Sequence, residues 1–467
     1  MFALDRGPGK SQKAKVKVQK AKALRTEDGR PGTGDRRPGT AISFSQAPVP
    51  RPQSPVASCP PLKILHVIPS VGPLRGGPSQ VVQTLANGLA AAGVEVHVAT
   101  TDDNGPGRLA VPYGEPVRVD GVSYWYFPRQ GHFYTVSLPL GRWLARHIPD
   151  YDVVHIHALF SYAPLAAAFW AWRHRVPYLV RPAGLLNQWG MRHRRPWLKG
   201  LVFRVIDSRI LAGAAMLHYT SDQEWREATT LGVGGKHVVI PNPVATPPEL
   251  LSDRACRFRA QYPQLADRIM VLFLARLDEK KGVDLLLEAF AQARQQCPQL
   301  VLVIAGEGPP LFVATLQRRV HRLGIEAEVI WTGFLAGEAK WGAFGAADIF
   351  VLPSYSENFG MAVVEAMAVG RPVLVTDQVG IHAAIADAQA GLVTPCAVSP
   401  LADALVRLAS DAEGRERMGR NGQVLVREQF SLPAVTHSLL GLYTNIRQEK
   451  TTPRAMTRKE ALPHVAS

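Results

Sequence analysis

The stretch IFVLPSYSENFGMAVVEAMAVGRPVLVTD, residues 349–377, decides the fold. It opens with one apolar run, IFVLPS at 349–354, and closes with another, PVLVTD at 372–377. Between the runs, a polar loop leads into a helix rich in Met, Ala and Val, which ends at Gly370. A strand, a helix and a second strand in this order form a βαβ unit, and such units predict a parallel sheet.

Two glutamates in this unit lie outside the solvated helix faces on which structural glutamates are usually found. Glu357 follows the first strand, and Glu365 lies inside the apolar helix. Ligands of parallel α/β sheets bind at the carboxyl ends of the strands. We expect Glu365 to accept hydrogen bonds from vicinal hydroxyls such as those of a ribose, and Glu357 to hold sugar hydroxyls or act in acid–base catalysis. Phe359 and Gly360 would offer backbone N–H groups to a phosphate.

The same alternation of strands and helices extends over most of the chain. A first set of strands is predicted at 63–69, 95–101, 122–128, 153–158, 178–183, 216–221 and 238–242. A second set is predicted at 269–275, 300–306, 328–333, 349–354, 372–377 and 391–395. The Pro-rich segment 241–250 separates the two sets and is the best candidate for a domain linker. The pattern predicts an α/β protein whose two doubly wound domains face each other across a cleft.

The predicted domain boundaries follow from these sets. We expect a disordered basic tail at 1–61, a first domain at 62–245, a second domain at 246–431, a last helix at 432–447 and a disordered tail at 448–467.

Composition narrows the class of protein. The net charge is +15, and residues 1–60 alone hold 12 Lys/Arg against 4 Asp/Glu. The 4 cysteines are scattered without C-x-x-C spacing, which indicates free thiols in a reducing compartment rather than a metal site. No apolar run reaches the ~18 residues of a membrane span, and the run at 158–172 is predicted to be a core helix. We therefore expect a cytoplasmic protein.

Cationic and Gly-rich loops follow strands of the second domain. Arg276 and Lys281 flank a turn before Gly282 opens a helix, and two cations at a helix N-terminus suit a diphosphate. A solvated turn is the alternative. The loop AGEGPP, 305–310, offers Glu307 as a donor-binding candidate, although its glycines could serve only steric needs.

The first domain contributes a Gly-rich helix start and a histidine pair. Gly76 and Gly77 precede a proline, so this loop could approach a phosphate or be a purely structural turn. His155 and His157 alternate along one strand and share a face. With no third ligand apparent, satisfied core residues are favoured over a metal pair, and His157 is the better placed for the cleft.

Two further motifs favour structural readings. In TSDQEWREA, 220–228, Ser221 or Asp222 is expected to cap a helix whose first turn contains Glu224. The pair Asp102 and Asp103 is expected to form a turn rather than bind a metal.

Together these motifs resemble the retaining glycosyltransferases of family four, which have the GT-B fold. The resemblance covers roughly residues 62–447 and rests on the E-x7-E element in SENFGMAVVEAMAVGRPVL together with ARLDEKKG and the GGP loop. It implies two Rossmann-like domains and sugar transfer with retention and without a metal or other cofactor, the leaving diphosphate helping to deprotonate the acceptor. The implied relatives are bacterial enzymes of exopolysaccharide or lipid-linked glycan synthesis.

The resemblance also implies roles for individual residues. Arg276 and Lys281 would neutralise the donor diphosphate, Glu357 would contact the transferred sugar and Glu365 the ribose. Phe359 and Gly360 would supply backbone contacts, and Gly77 would lie against the diphosphate. His157 would lie near the sugar and, with Glu357, be a catalytic residue. One departure lowers the strength of the first-domain assignment: Ala183 stands where many members of the family carry histidine.

The expected function is transfer of a sugar from a nucleotide-diphosphosugar to a hydroxyl of a glycan or lipid-linked acceptor. The alternatives are a sugar-nucleotide epimerase of the same fold and a non-catalytic protein that binds nucleotide-sugars or nucleic acid. The basic and aromatic stretch 189–204 suits an anionic membrane surface on the inner face of the plasma membrane, with a solvated helix entry as the alternative. We expect no nucleic-acid partner.

Overall fold

A computed structural model describes residues 61–131, 133–187 and 196–451. The basic tail predicted at 1–61 lies almost wholly outside the described residues, as do 189–195 of the basic aromatic stretch and 452–467 of the second tail.

The first half of the chain builds an eight-stranded sheet, and the part of the protein formed on it is called the N-lobe. Seven strands are parallel, and the edge strand β5 is antiparallel to β6. The spatial order is β10-β9-β8-β7-β1-β2-β6-β5. These strands are β1 Lys63–Ser70, β2 Glu95–Thr101, β5 Val117–Val119, β6 Val122–Phe127, β7 Val153–His157, β8 Tyr178–Arg181, β9 Met216–Tyr219 and β10 His237–Val239, and the pair β3 Asp103–Asn104 and β4 Gly107–Arg108 forms a separate hairpin.

The second half builds a six-stranded parallel sheet, and the part formed on it is called the C-lobe. Its order is β13-β12-β11-β14-β15-β16, so the chain moves outward in one direction and then reverses between β11 and β14. Ligands of doubly wound sheets bind at such a reversal point. The strands are β11 Ile269–Leu274, β12 Leu300–Ala305, β13 Val329–Gly333, β14 Ile349–Leu352, β15 Val373–Thr376 and β16 Gly391–Thr394.

Helices cover both faces of each sheet. In the N-lobe they are α1 Gly77–Ala91, α2 Leu138–His147, α3 Tyr162–Arg173, α4 Pro196–Val202, α5 Ser208–Ala212 and α6 Asp222–Thr230, with a π-helical turn Phe203–Asp207 between α4 and α5. In the C-lobe they are α7 Leu251–Gln261, α8 Val283–Gln296, α9 Pro310–Leu323, α10 Gly337–Ala346, α11 Met361–Ala368, α12 His382–Asp387, α13 Val398–Ser410 and α14 Ala412–Leu425. The last helix is α15 Leu432–Thr451.

The burial of the strands on both faces explains why their sequences are continuous apolar runs. All six residues of β12 are buried, as are all residues of β14 and β15, because helices lie on both sides of these strands. The C-lobe has one continuous core. The N-lobe has two cores, one on each face of its sheet.

The last helix belongs to the N-lobe core although it follows the C-lobe in sequence. Its side chains Val435, Leu439, Tyr443 and Ile446 are buried in the same cluster as β1 and α1. The helix continues past the expected end at residue 447 to Thr451. The chain therefore crosses between the lobes twice.

Three expectations about the first domain were incomplete or wrong. The short strands β3, β4 and β5 were not predicted, and β5 runs against the direction of the rest of the sheet. The run 158–172 is not one core helix, because residues 158–161 form a loop with left-handed backbone at Ala158 and Phe160, and α3 begins only at Tyr162. Phe169 on α3 is exposed rather than buried.

The hydroxyl of Tyr443 fastens the last helix to the sheet. It lies 2.6 Å from Nδ1 of His155 on β7, and both side chains are fully buried. We predict that Tyr443→Phe lowers the free energy of unfolding by about 1–3 kcal/mol, because a buried ring nitrogen loses its donor. Chemical denaturation measures this change.

The matched control is Tyr219→Phe, since Tyr219 is equally buried but its hydroxyl makes no hydrogen bond within the described ranges. The control should change the stability by no more than about 0.5 kcal/mol. Equal losses in the two variants would contradict the role given to the Tyr443 hydroxyl.

Candidate active site

The loop after β11 forms the cationic side of the site. Asp278 accepts a hydrogen bond from the backbone N–H of Lys280 and starts a 3-10 turn that ends at Gly282. Gly282 has a φ of 67° and begins α8. A Cβ atom at this position would lie 2.0 Å from the carbonyl oxygen of Pro353, so only glycine allows the loop to meet the loop after β14. The loops after β11 and β14 thus pack backbone against backbone at the point where the strand order reverses.

An ion pair joins these two loops at the same place. Lys281 Nζ bonds to the carboxylate of Glu357, and both side chains are largely buried. Burial would raise the pKa of Glu357, but the charge and hydrogen bond of Lys281, aided by Lys280 and the backbone N–H of Phe359, hold the pKa below its usual value. Burial lowers the pKa of Lys280, which stands next to them. Glu357 is therefore a stable carboxylate in this site.

The described part of the chain offers no partner to a second cation at this edge. Arg276 is exposed, and its side chain makes no hydrogen bond or ion pair with any residue in the described ranges. An exposed guanidinium beside a lysine and a helix start is suited to bidentate binding of phosphate oxygens. The geometry thus places Arg276 and Lys281 on one loop, as predicted from the sequence.

The loop AGEGPP lies against this cationic loop. Cβ atoms at Gly306 and Gly308 would lie 1.9 Å and 2.1 Å from the carbonyl oxygens of Ala275 and Leu277. Both positions therefore require glycine for steric reasons. The carbonyl of Glu307 accepts the N–H of Leu277 at 2.8 Å. The Glu307 residue itself is exposed, and a contact with a ligand stays a prediction.

The loop after β14 supplies an anionic and a backbone component. Gly360 has a φ of 91° and begins α11. The ring of Phe359 is buried against Phe430, so its contribution toward a ligand is confined to its backbone. Glu365 on α11 pairs with Lys340 at 2.8 Å, and sequence analysis did not single out this lysine.

In the N-lobe the glycines of the GGP loop leave open space. Gly76 has a φ of 74°, Gly77 is the first residue of α1, and an added Cβ on either would meet no other atom within 4 Å. Below them Ser79 donates to the carbonyl of Ser70, which anchors the helix start to β1. The loop is therefore held in place at its base while its backbone stays accessible to a ligand.

Four buried histidines lie under this loop, in two hydrogen-bonded chains. The first chain ends at the carbonyl of Ile240, which can only accept, so Nε2 of His218 carries the proton at 2.8 Å. Nδ1 of His218 then accepts from Nε2 of His155 at 3.2 Å, and Nδ1 of His155 accepts from the hydroxyl of Tyr443. Each ring in this chain is assigned one proton.

The second chain starts at Arg181, which can only donate. Its guanidinium lies 3.5 Å from Nδ1 of His157, and Nε2 of His157 then donates to Nδ1 of His66 at 2.8 Å. Arg181 also donates to the side chain of Asn242. Burial lowers the pKa of Arg181 to about 10, and sequence analysis missed this residue although it ends a strand.

Burial keeps all four imidazoles neutral. It lowers the pKa of His66 and of His218 to about 3, with help from the charge of Arg181, and lowers the pKa values of His155 and His157 well below the usual value. The structure adds His66 to the pair considered in the sequence, and these three rings are close enough to hold a metal ion. Both nitrogens of His155 and of His157 are taken up by hydrogen bonds, which favours the core-residue interpretation.

The aspartate pair after β2 is used in ion pairs. Asp103 bonds to the guanidinium of Arg129 and, at 2.6 Å, to that of Arg75 in the GGP loop. Asp102 accepts from the backbone N–H of Arg129 and from the hydroxyl of Tyr113, both at 2.8 Å. Both carboxylates are buried and hold loops together, which agrees with a structural role.

A cavity of about 290 Å³ opens between the GGP loop and the end of β7. Its wall combines apolar side chains with Arg75, His157 and Arg181. Ala183, which stands where many members of the family carry histidine, also lines the cavity. His157 is only 1% exposed, so its ring forms part of the cavity floor. The structure thus brings His157 and the GGP loop together in the N-lobe, and Arg276, Lys281 and Glu357 together in the C-lobe.

Two family models match this chain, one over each lobe. The model of the glycosyl transferase 4-like domain matches residues 76–243, and the model of glycosyl transferases group 1 matches residues 257–424. The D-inositol 3-phosphate glycosyltransferase of Kribbella flavida is 30% identical over 380 residues, which cover 74% of this chain and 85% of the relative. This chain belongs to the GT4-type glycosyltransferases of the GT-B fold.

Other similarities agree with this assignment. The α-D-kanosaminyltransferase of Streptomyces kanamyceticus is 34% identical over 194 residues, which cover 41% of this glycosyltransferase and half of the relative. Anabaena HepE, solved in complex with UDP and glucose, superposes with a TM-score of 0.64 at 20% identity, covering 82% of this chain and all of HepE. At that identity the superposition shows the fold, two Rossmann-like domains, which confirms the fold predicted from the sequence.

The contact of Gly282 with Pro353 yields a test of the site's framework. We predict that Gly282→Ala lowers the free energy of unfolding by about 2–4 kcal/mol, because the new Cβ is strained at positive φ and also meets a backbone oxygen. Thermal or chemical denaturation of this glycosyltransferase measures the loss.

Gly324→Ala is a control with nearly the same backbone angle, φ 64°, but with open space around the Cβ. It should cost only about 1 kcal/mol, the price of the left-handed conformation alone. Equal costs at the two positions would show that the packing of the two loops is not a constraint.

Proposed function

We propose that this glycosyltransferase moves a sugar from a nucleotide-diphosphosugar to a hydroxyl of a glycan or lipid-linked acceptor, with retention and without a metal. The observation that carries the proposal is that Arg276, which has no partner among the described residues, lies on the same loop as Lys281, which pairs with Glu357 at the chain reversal of the C-lobe. Retention, independence of metals and a role in cell-surface polysaccharide synthesis come from the family resemblance.

The leaving group is the part of the reaction that this geometry suits best. A nucleoside diphosphate gains negative charge as the bond between the anomeric carbon and its phosphate oxygen breaks. Arg276, Lys281 and the N–H groups at the start of α8 would stabilise that charge, which is the work that a metal ion performs in other enzymes. In the proposed reaction the acceptor oxygen bonds to the same face of the anomeric carbon, and its proton passes to an oxygen of the departing diphosphate.

The ion pair of Lys281 suggests how Glu357 becomes available. In the absence of a donor, Lys281 neutralises Glu357, whereas a bound diphosphate would compete for the same ammonium group. Glu357 would then accept hydrogen bonds from hydroxyls of the transferred sugar. Glu365 would exchange Lys340 for the ribose hydroxyls in the same way.

The N-lobe cavity is the proposed site of the acceptor. It lies between Pro78 and His157, and its volume of about 290 Å³ is at the lower end of small-molecule pockets. Relatives named D-inositol 3-phosphate glycosyltransferase and a neighbour solved with UDP and glucose favour glycosyl transfer over the epimerase and binding-protein alternatives. They also make UDP-sugars the first donors to test.

The test is a panel of nucleotide-sugars, with UDP-glucose first, measured by calorimetry and by donor hydrolysis. We predict that Arg276→Ala and Lys281→Ala each weaken the affinity for UDP about 10- to 100-fold, since each removes a charge-assisted contact to phosphate. Arg276→Ala should leave the melting temperature unchanged, because this side chain makes no bond in the described ranges.

Retention is checked by NMR, which should show release of the sugar first as the anomer present in the donor.

Arg322→Ala is the matched control, since Arg322 is also exposed in the C-lobe but lies at the far end of α9. Its affinity for UDP should equal that of the wild type. Wild-type affinity in both Arg276→Ala and Lys281→Ala, or first release of the inverted anomer, would contradict the proposal.

A membrane surface is the proposed setting of the acceptor. No helix in the described part of the chain is both long and apolar enough to cross a bilayer. Residues 161–213 contain nine Lys/Arg and one Asp, and of these Arg181 and Asp207 are buried. Exposed apolar side chains lie on α3 and on α4 with the turn after it; they are Phe169, Trp172, Trp197, Leu201 and Val205.

Exposed tryptophans flanked by arginines are typical of a surface that enters the headgroup region of an anionic bilayer. We predict that the protein sediments with vesicles of anionic phosphatidylglycerol and much less with neutral phosphatidylcholine, in a salt-sensitive manner. The double variant Trp172→Glu/Trp197→Glu should bind the anionic vesicles at least about fivefold more weakly.

Leu311→Glu serves as the control, because Leu311 is 86% exposed but lies on the C-lobe helix α9. This variant should bind vesicles like the wild type. If the tryptophan variant also binds like the wild type, the proposed surface is wrong.

A further inference from the structure

Asn358 is the point at which the N-lobe touches the donor loop. Its side-chain nitrogen donates to the hydroxyl of Thr220, at the end of β9, over 2.9 Å. Its carbonyl accepts from the hydroxyl of Ser221 at 3.3 Å. Thr220 and Ser221 belong to the N-lobe, whereas Asn358 stands between Glu357 and Phe359 in the C-lobe, so these bonds cross the cleft.

Two glycines allow Asn358 to sit this closely. A Cβ at Gly184 of the N-lobe would lie 2.7 Å from Cγ of Asn358, and a Cβ at Gly380 of the C-lobe would lie 2.0 Å from its carbonyl oxygen. Asn358 is therefore held between one glycine of each lobe.

Glu224 organises the N-lobe side of this contact. It is only 2% exposed, and one of its carboxylate oxygens accepts both the backbone N–H of Thr220 at 2.8 Å and the Thr220 hydroxyl at 2.7 Å. The other oxygen accepts the backbone N–H of Gly184 at 2.5 Å. Because the Thr220 hydroxyl donates to Glu224, its lone pairs are free to accept from Asn358. Ser221 also caps α6, as expected, so the predicted cap is only part of what this motif does.

The contact bears on Glu357 through the backbone. The N–H of Phe359 bonds to the Glu357 carboxylate, and the carbonyl of Glu357 accepts from the N–H of Gly380 at 2.8 Å. Asn358 lies between Glu357 and Phe359, the two residues that this backbone bond to the carboxylate joins, so we expect a shift of Asn358 to change the orientation of the Glu357 carboxylate relative to Lys281.

We infer that Thr220 and Asn358 are a positioning pair, through which the Glu224-centred network of the N-lobe sets the orientation of Glu357 in the donor site. The acceptor-side segment that holds Gly184 and the donor loop then move as one unit, and the donor site is complete only when the lobes are in contact. This inference rests on the proposed function for its meaning in catalysis, but the coupling itself is a property of the folded chain.

Hydrogen–deuterium exchange of the full chain, without nucleotide, tests the coupling. We expect Thr220→Val in the N-lobe to speed exchange of the C-lobe segment 355–364 at least about threefold, because loss of the cross-lobe bond frees the loop to open. Thr220→Ser keeps the hydroxyl and should exchange like the wild type. The segment 310–323, helix α9, should not change in any variant.

The reciprocal variant is Asn358→Ala, which is also the test if Thr220→Val fails to fold. Asn358 is half-buried, and its truncation should speed exchange of the N-lobe segment 183–187, whose Gly184 amide bonds to Glu224. The double variant should exchange no faster than the faster single variant, because both remove the same bond. Unchanged exchange of the opposite lobe in both single variants, or additive effects in the double variant, would overturn the inference.

A kinetic arm separates positioning from binding. With UDP-glucose as the probe, Asn358→Ala should lower kcat for donor hydrolysis about tenfold while KM changes less than about twofold, and Thr220→Ser should retain both values. Equal changes in kcat and KM would overturn a positioning role. Failure of the wild type to bind any nucleotide-sugar would instead contradict the proposed function and leave the exchange result standing.

Discussion

The ion pair between Lys281 and Glu357 is the interaction on which the rest of the C-lobe site depends. It forms where the order of strands reverses, between the loops after β11 and β14, and doubly wound sheets bind their ligands at such a point. Gly282 brings the loops into contact, and the ion pair then fills the space between them with opposite charges. A largely buried ion pair contributes little net stability once desolvation is counted. In the proposed function, the pair holds a carboxylate and an ammonium group ready for a ligand that carries both hydroxyls and phosphates.

The N-lobe sheet differs from the C-lobe site in that its buried histidines are neutral imidazoles rather than a charged pair. Four imidazoles lie at the centre of the sheet, and burial keeps each of them neutral. Their two hydrogen-bonded chains begin at Tyr443 and at Arg181. One chain fastens the last helix to the sheet, and the other fixes the ring of His157 at the floor of the cavity. The helix that returns from the C-lobe is in this way bonded to the same strand that ends at the site.

The sequence was sufficient for the parallel sheets, because strands buried on both faces leave continuous apolar runs. It also indicated Arg276, Lys281 and Glu357, since each follows a strand of the C-lobe. The edge strand β5 was not predicted, because its three residues are too short for a recognisable period, and periodicity does not distinguish parallel from antiparallel pairing. Arg181 was overlooked because a charge at the end of a strand is usually solvated.

Contacts between residues far apart in the sequence were the least predictable part of the site. His66 and His218 join His155 and His157 only because four strands of one sheet lie side by side, and nothing in local spacing connects them. Asn358 and Thr220 are 138 residues apart and belong to different sheets. Ser221 could be recognised as a helix cap, but the second partner of its hydroxyl depends on the arrangement of the lobes.

The most direct test of the central claim is a crystal structure of the protein with UDP. The account predicts that the diphosphate lies at the reversal between β11 and β14, with oxygens about 3 Å from the side chains of Arg276 and Lys281 and with Lys281 moved away from Glu357. A diphosphate bound elsewhere, with the Lys281–Glu357 pair intact, would contradict it.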